Sequence, residues 1–243
     1  MTEQVVFKNA KFITADDFSL PYKSAAELNR LFSLDFIKKN AAALSFKGGR
    51  GQTALFSLSG EDLVLRQYLR GGLWGKLMHD KFFIASHDAH RAFDEFILLG
   101  KLKAKGLPVP EPVAAKEEKS GLFLRNYIII KQIKNCADLS YVIKNRHLSA
   151  DEFIRIGSTL KRFFDEGVLH TDLNIRNILL DNKGDVYVID FDKCKIIDLG
   201  RQDKEAMLAR LLRSFNKEVR ITANAAYFKE SDFALLKEAA LAD

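Results

Sequence analysis

The chain has 243 residues, 47% of them hydrophobic and 29% charged, enough to bury a sizeable core as one large domain or two packed lobes. Its net charge of +6 favours anionic partners such as nucleotide phosphates, an acidic membrane surface or nucleic acid, although solubility alone accounts equally well for so modest an excess. Two isolated cysteines, Cys136 and Cys194, exclude a disulfide framework or a zinc cluster and read as buried free thiols.

Residues 1–40 combine a strand-like "QVVFKNAKFI" with a weakly amphipathic helical stretch. "MTEQVVFKNAKF" lacks the basic start and continuous apolar core of a signal peptide. No apolar run reaches the roughly 20 residues of a membrane-spanning helix, so the protein is expected on the cytoplasmic side of the membrane. "FKGGRGQTALF" then places Gly48, Gly49 and Gly51 ahead of a hairpin with strands Ala54–Leu58 and Leu63–Tyr68, turning at Ser59–Asp62. Glycines allow close backbone approach to phosphate and offer N–H donors, although an ordinary tight turn uses them too. From Arg66 to Lys81, basic residues alternate with Leu73, Trp74 and Leu77, a mixture that suits an anionic lipid surface or a covering loop equally.

Ser86–Lys105 carries a helical pattern with Phe93, Phe96, Ile97 and Gly100 on one stripe, and Gly106 ends it. The prolines of "GLPVPEP" force an extended connection, and "YIIIKQI" reads as a buried strand. Ser149 with Glu152 three residues later makes a capping box. It opens a helix whose core face is Phe153, Ile156, Leu160 and Phe163 and whose end is Gly167. Two more helices fit near 203–217 and 231–242. Strands first and helices later imply an α+β protein with a sheet-rich front, a helical back and a boundary near residues 134–138.

The densest chemistry lies in "HTDLNIRNILLDNKGDVYVIDFD", residues His170–Asp192. "NILL" and "VYVID" flank the turn sequence "DNKGD", so a short hairpin folds its ends together. Asp172 and Asn177, just before its first strand, would then lie near Asp190 at the end of its second. A surface hairpin uses single Asp and Asn residues for turns and helix ends, but four positions in register exceed that need.

Phosphoryl transfer requires Mg²⁺ on the phosphates and a carboxylate placed to take a hydroxyl proton. The pattern H-x-D-L-x-x-x-N followed by D-F-x, here His170, Asp172, Leu173, Asn177, Asp190 and Phe191, resembles the protein-kinase-like superfamily. Thr171 stands where regulated protein kinases carry arginine, and Asp192 where they carry glycine. The resemblance implies a bilobal kinase-like fold, with a small sheet-rich N-terminal lobe over 1–135 and a mostly helical C-terminal lobe over 136–243. It implies Asp172 as catalytic base and Asn177 and Asp190 as Mg²⁺ ligands. Gly48, Gly49 and Gly51 would hold ATP together with Arg66, which stands where lysine is usual, and its helical partner Glu95.

No A-P-E motif follows Asp192, so a small-molecule or glycolipid acceptor fits better than a peptide. The combination "LRQYLRGGLWGKL", "HRAFDEFILLGKLKAKGLPVPEPVAA", "HTDLNIRNILL", "VIDFDKCKI" and "LARLLRSFNK" is similar to the bacterial lipopolysaccharide kinase family. Arg70–Gly72 most resembles its 3-deoxy-D-manno-octulosonic acid (Kdo) kinases. This resemblance implies ATP- and Mg²⁺-dependent phosphorylation of a hydroxyl of Kdo on an anionic lipid A precursor, by a peripheral protein at the cytoplasmic face of the inner membrane. Arg70, Arg176, Asp192, Arg210 and Arg213 are its candidate acceptor contacts. A heptose kinase, an aminoglycoside-type phosphotransferase and a catalytically silent kinase-like binding module are the alternatives. A nucleic-acid partner explains the charge but leaves the acidic constellation without purpose.

Overall fold

The computed structural model describes residues 3–18, 20–47, 53–69, 80–86, 88–222 and 227–242. They divide into two compact units, Met1–Lys101 with Glu111–Gln132, and Leu102–Pro110 with Ile133–Asp243. Both mix helices with antiparallel strands, as expected of an α+β protein.

The first unit is built on one antiparallel sheet. Its strands in chain order are β1 (Glu3–Phe7), β2 (Ala10–Thr14), β3 (Ala43–Lys47), β4 (Thr53–Leu58), β5 (Glu61–Gln67), β6 (Phe82–Phe83), β7 (Pro112–Ser120) and β8 (Phe123–Lys131). They lie side by side as β1-β2-β7-β8-β5-β4-β3, with β6 against the end of β8. The 1–40 stretch resolves into the β1–β2 hairpin and two short helices, α1 (Ala25–Leu31) and α2 (Leu34–Asn40). Ser24 and Ser33 cap them by accepting from the backbone N–H groups of Glu27 and Phe36. Leu28, Leu31 and Ile37 press onto Phe12, Phe56, Leu63 and Ile129 of the sheet, forming this unit's apolar core.

The next helix, α3, spans Arg91–Ala104, five residues shorter at its start than the periodicity predicts. The reason lies 35 residues downstream. Asn126, fully buried on β8, accepts from the Ala92 N–H at 3.2 Å and donates to the Ala89 carbonyl at 2.9 Å, so the helix begins where this side chain caps it. The predicted stripe also shifts: Ile97 is 40% exposed and Gly100 is exposed, while Ala92, Phe96, Leu99 and Leu102 are buried. Strand β7 was hidden from the sequence by its charged "KEEK" run, although Lys116 and Glu117 are both buried.

In the second unit, β9 (Cys136–Asp138) leads into α4 (Leu139–Asn145). Helix α5 (Ala150–Asp165) starts at the predicted Ser149–Glu152 capping box and buries Phe153, Ile156, Leu160 and Phe163. Strand β10 (Val168–Leu169) pairs with β13 (Lys195–Ile196), while β11 (Ile178–Asp181) lies between β9 and β12 (Val186–Val188). The last helices are longer and shorter than predicted, α6 over Arg201–Ile221 and α7 over Phe233–Leu241. Phe215 of α6 stacks on Phe228 at 4.4 Å between centroids and meets Phe233 edge-on at 6.0 Å, so aromatic packing holds this end together. Both cysteines are half-buried, not buried as expected, because Cys136 and Cys194 lie on a strand and a turn near the unit's surface. Among the described residues no helix is long and apolar enough to cross a membrane.

Gly157 lets α5 and α7 touch: an added Cβ would fall 2.3 Å from the Leu236 carbonyl oxygen and 2.8 Å from the Ala239 Cβ. Gly157→Ala is expected to lower stability by about 1–3 kcal/mol, because backbone cannot yield as a side-chain tip can. Gly100→Ala, with open space around its position, should be neutral or stabilising by up to about 1 kcal/mol. Urea unfolding of the two variants checks the contrast.

Candidate active site

The hairpin of β11 and β12 brings residues 172, 177 and 190 together as the sequence requires. Leu179 pairs with Tyr187, and beyond the ladder the Ile189 N–H donates to the Asn177 carbonyl at 2.9 Å. The Asn177 side chain turns back and donates to the Asp172 carbonyl at 2.9 Å. Asn174 makes a second bond to that oxygen at 2.9 Å and accepts from the Arg176 N–H at 2.9 Å. The loop 172–177 is therefore bound through its own amides while the Asp172 carboxylate stays in solvent, its side chain 61% exposed.

His170 is the pivot of this arrangement. It is buried, its Nε2 lies 3.1 Å from the Ile189 carbonyl, and its Nδ1 lies 3.3 Å from the Asp172 N–H. A ring that donates at Nε2 and accepts at Nδ1 is the neutral tautomer. Burial pushes its pKa below the ordinary histidine value, against the pull of the Ile189 carbonyl and the carboxylates of Asp190 and Asp172. Phe191, fully buried, packs on the His170 ring at 5.1 Å and stacks on Phe163 of α5 at 5.9 Å.

The flanking residues Asp190 and Lys193 both adopt positive φ, 66° and 60°. Side chains other than glycine pay a small steric cost there, and such conformations gather at functional sites. The two departures from the kinase pattern meet: the Thr171 hydroxyl, where arginine is usual, donates to the carbonyl of Asp192 at 3.2 Å. Thr171 thereby fastens the turn after Phe191.

Helix α6 runs along the same loop. Arg210 Nη1 lies 3.6 Å from Asp172 Oδ1; the Ser214 hydroxyl accepts from the Ile175 N–H at 3.1 Å; Glu218 meets Arg176 at 3.4 Å and Lys144 of α4 at 2.6 Å. Positions 210, 214 and 218 fall on one helical face, so one side of α6 supports loop residues 172–176. Glu218 is buried, and Lys144 and Arg176 hold its carboxyl below the usual range despite the upward push of burial. Sequence reading missed Ser214, Glu218 and Lys144. The four-residue spacing along α6 was its only visible signal.

The second cluster belongs to the first unit. Arg66 of β5 pairs with Glu95 of α3, which is buried. The Tyr68 hydroxyl, missed in the sequence, donates to the same carboxylate at 2.5 Å, and Arg66 reaches that hydroxyl at 3.2 Å. Burial, followed by the charge of Glu95, raises Tyr68 well above the ordinary phenol value, so it remains a donor. Arg91 lies over the Tyr68 ring at 5.6 Å and the Phe82 ring at 5.2 Å. Asn126 ties the ensemble together, since its carbonyl accepts from the Tyr68 N–H at 3.0 Å while its side chain caps α3. Tyr68, one residue past the end of β5, lies two residues from Arg66, the spacing at which an extended chain repeats its face, which was the available clue.

Of the predicted residues, Asp172, Asn177, Asp190 and Asp192 share the loop and hairpin of the second unit, with Arg210 beside them. Arg176 is turned to Glu218, and Arg213 is exposed on α6. Gly48, Gly49, Gly51 and Arg70 lie outside the described residues.

Oxygen chemistry decides which metal fits. Asn177 spends its N–H on Asp172, which leaves its carbonyl oxygen as an acceptor, and Asp190 supplies a carboxylate. An oxygen-only pair of this kind suits a hard cation that keeps waters and phosphate oxygens, as Mg²⁺ does. Among the described residues there is no group of three or more His, Cys, Asp or Glu side chains of the sort that holds zinc.

The model of the lipopolysaccharide kinase (Kdo/WaaP) family matches residues 35–238. Relatives named 3-deoxy-D-manno-octulosonic acid kinase include one from Vibrio cholerae, 38% identical over 185 residues, 76% of this chain and 78% of that protein. Another from Vibrio parahaemolyticus is 38% identical over 209 residues, 86% of this chain and 87% of its own. A third, from Photobacterium damsela, is 40% identical over 190 residues, 77% and 78% of the two chains.

The neutral, buried His170 predicts a pH dependence. Its folded pKa lies below the unfolded value of 6.5, so the unfolded chain binds the extra proton first and stability falls as pH drops through that value. In EDTA, the urea midpoint should decline from about pH 7 to about pH 5.5, and His170→Asn should flatten that slope. An unchanged slope in the variant would locate the proton elsewhere.

Proposed function

The chain belongs to the lipopolysaccharide kinase (Kdo/WaaP) family, and from that premise we propose that it transfers the γ-phosphoryl group of ATP to a hydroxyl of Kdo on a lipid A precursor. The observation that carries this reading is Asn177, whose side chain donates to the Asp172 carbonyl while its own backbone carbonyl accepts from the Ile189 N–H, next to Asp190. An isolated surface turn has no need of such a connection.

In this reading the first unit is the N-terminal lobe of a bilobal kinase-like fold and the second its C-terminal lobe. Asp172 accepts the proton of the attacking hydroxyl. The new O–P bond forms on the sugar as the bond from the γ-phosphorus to the ADP oxygen breaks. The Asp172 carboxylate suits that task because its loop is pinned through the backbone, which fixes its place without consuming its oxygens. Asn177 and Asp190 hold Mg²⁺, which when bound neutralises charge on the phosphates. Gly48, Gly49 and Gly51 cradle the phosphates and Arg66 contacts them, oriented by Glu95 and Tyr68. Arg70, Asp192, Arg210 and Arg213 are the proposed acceptor contacts, while Arg176 braces the loop through Glu218.

The basic balance of the chain suits an acceptor whose carboxylate and phosphates are all negative, and it favours a peripheral position at the cytoplasmic face of the inner membrane. Thr171 supports a kinase that is not switched by a phosphorylated loop, since it lacks the arginine that would read one and uses its hydroxyl to brace Asp192.

The test offers labelled ATP and Mg²⁺ with Kdo-bearing lipid A precursor, a heptosylated core, an aminoglycoside and a generic protein in parallel. Label is expected on the Kdo acceptor. Asp172→Ala should cut turnover by about 10²–10⁴-fold while nucleotide affinity stays near wild type. Label confined to the protein acceptor, or full turnover in the variant, would overturn the assignment.

A further inference from the structure

The geometry points to Arg210 as the residue that reads the carboxylate of the acceptor sugar and makes a sugar acid, in preference to a neutral sugar, acceptable beside the catalytic base. This inference rests on the functional reading above and narrows it to one contact.

Arg210 projects from α6 with its side chain 49% exposed, and its Nη1 lies 3.6 Å from Asp172 Oδ1. That separation is a loose ion pair without a hydrogen bond, and a pair so exposed contributes little to stability. The guanidinium has five N–H donors in a planar fork suited to carboxylates. Among the described residues it makes no hydrogen bond, so those donors are not committed to holding the fold. Arg176 differs, because it is turned to the buried Glu218 alongside Lys144 and belongs to the support of the loop.

Electrostatics then assigns the role. The hydroxyl that loses its proton must come within hydrogen-bond reach of Asp172. On a sugar acid, the acceptor's own carboxylate is then no farther from Asp172 than the breadth of one sugar ring. Two carboxylates that close repel, and the repulsion grows as the acceptor displaces water. A cation standing against Asp172 is placed to engage both anions at once. A neutral sugar would create no such conflict and would need no arginine there. Arg213 and Lys217, exposed one and two turns along α6, continue the positive face for further anionic groups of the acceptor.

The experiment compares two acceptors with wild-type protein, Arg210→Gln and Arg210→Lys. One is Kdo-bearing lipid A precursor; the other is the same molecule with the Kdo carboxyl converted to a primary amide. Wild type should lose about 10–100-fold in kcat/KM on amidation, the size of a charge-assisted contact. Arg210→Gln should lose a similar factor on the native acceptor, mainly through KM for the acceptor. It should treat the two acceptors alike, with KM for ATP unchanged. Arg210→Lys, which keeps the charge but not the fork, should fall between. Discrimination in Arg210→Gln as strong as in wild type, or full activity of that variant on the native acceptor, would overturn the assignment while the kinase reading stands. Wild-type protein that phosphorylates neither acceptor would remove that reading and this role with it.

Discussion

One asparagine carries the constraint on which the site depends. Asn177 lies at the entrance to β11, where its carbonyl accepts from the Ile189 N–H and its side chain donates to the Asp172 carbonyl. Three chain segments that would otherwise move independently are thereby held at fixed separations. Each bond is worth only about 1 kcal/mol net, but Asn177 is buried, so an unmade bond there would leave a desolvated donor at greater cost. Burial turns a modest interaction into a positional rule. His170 repeats the rule one layer deeper, with its two ring nitrogens spent on Ile189 and on the Asp172 N–H.

The same economy recurs in the first unit. A buried carboxylate is costly unless its charge is matched, and Glu95 is met by Arg66 and the Tyr68 hydroxyl together. A single guanidinium nitrogen of Arg66, Nη2, reaches both the Glu95 carboxylate and the Tyr68 hydroxyl. Asn126 stands behind both partners. By capping α3 and accepting from Tyr68, it sets the helix bearing Glu95 against the strand bearing Arg66. The two units therefore rely on one device: a buried asparagine whose side chain bonds backbone and so locates a charged residue without touching it.

What the sequence revealed follows from how local each signal is. The hairpin of "NILL" and "VYVID", the capping box at Ser149 and the apolar face of α5 are written within a few residues, and all are legible. The start of α3 was not, because its cap arrives from Asn126 on another strand. Ile97 and Gly100 fit a helical stripe on paper yet face solvent, since the sheet and not the periodicity alone decides which side is covered. Strand β7 was obscured because Lys116 and Glu117 are charged but buried, Lys116 beside Glu118 and Glu117 against His90. At the site, the spacing of Asp172, Asn177 and Asp190 was visible, whereas the support of their loop by Ser214 and Glu218 was not. Those contacts join positions about forty residues apart, and nothing in a linear pattern pairs them.

We propose that Asn177 and Asp190 form one oxygen site for a hard cation beside a base, Asp172, that takes no part in holding it. Binding of Mn²⁺ in place of Mg²⁺, followed by electron paramagnetic resonance with a non-hydrolysable ATP analogue present, tests this directly. Wild type and Asp172→Ala should sequester the ion with similar affinity, while Asn177→Ala and Asp190→Ala should each weaken it by about tenfold or more. Unchanged Mn²⁺ affinity in those two variants, with their fold intact by circular dichroism, would contradict the account.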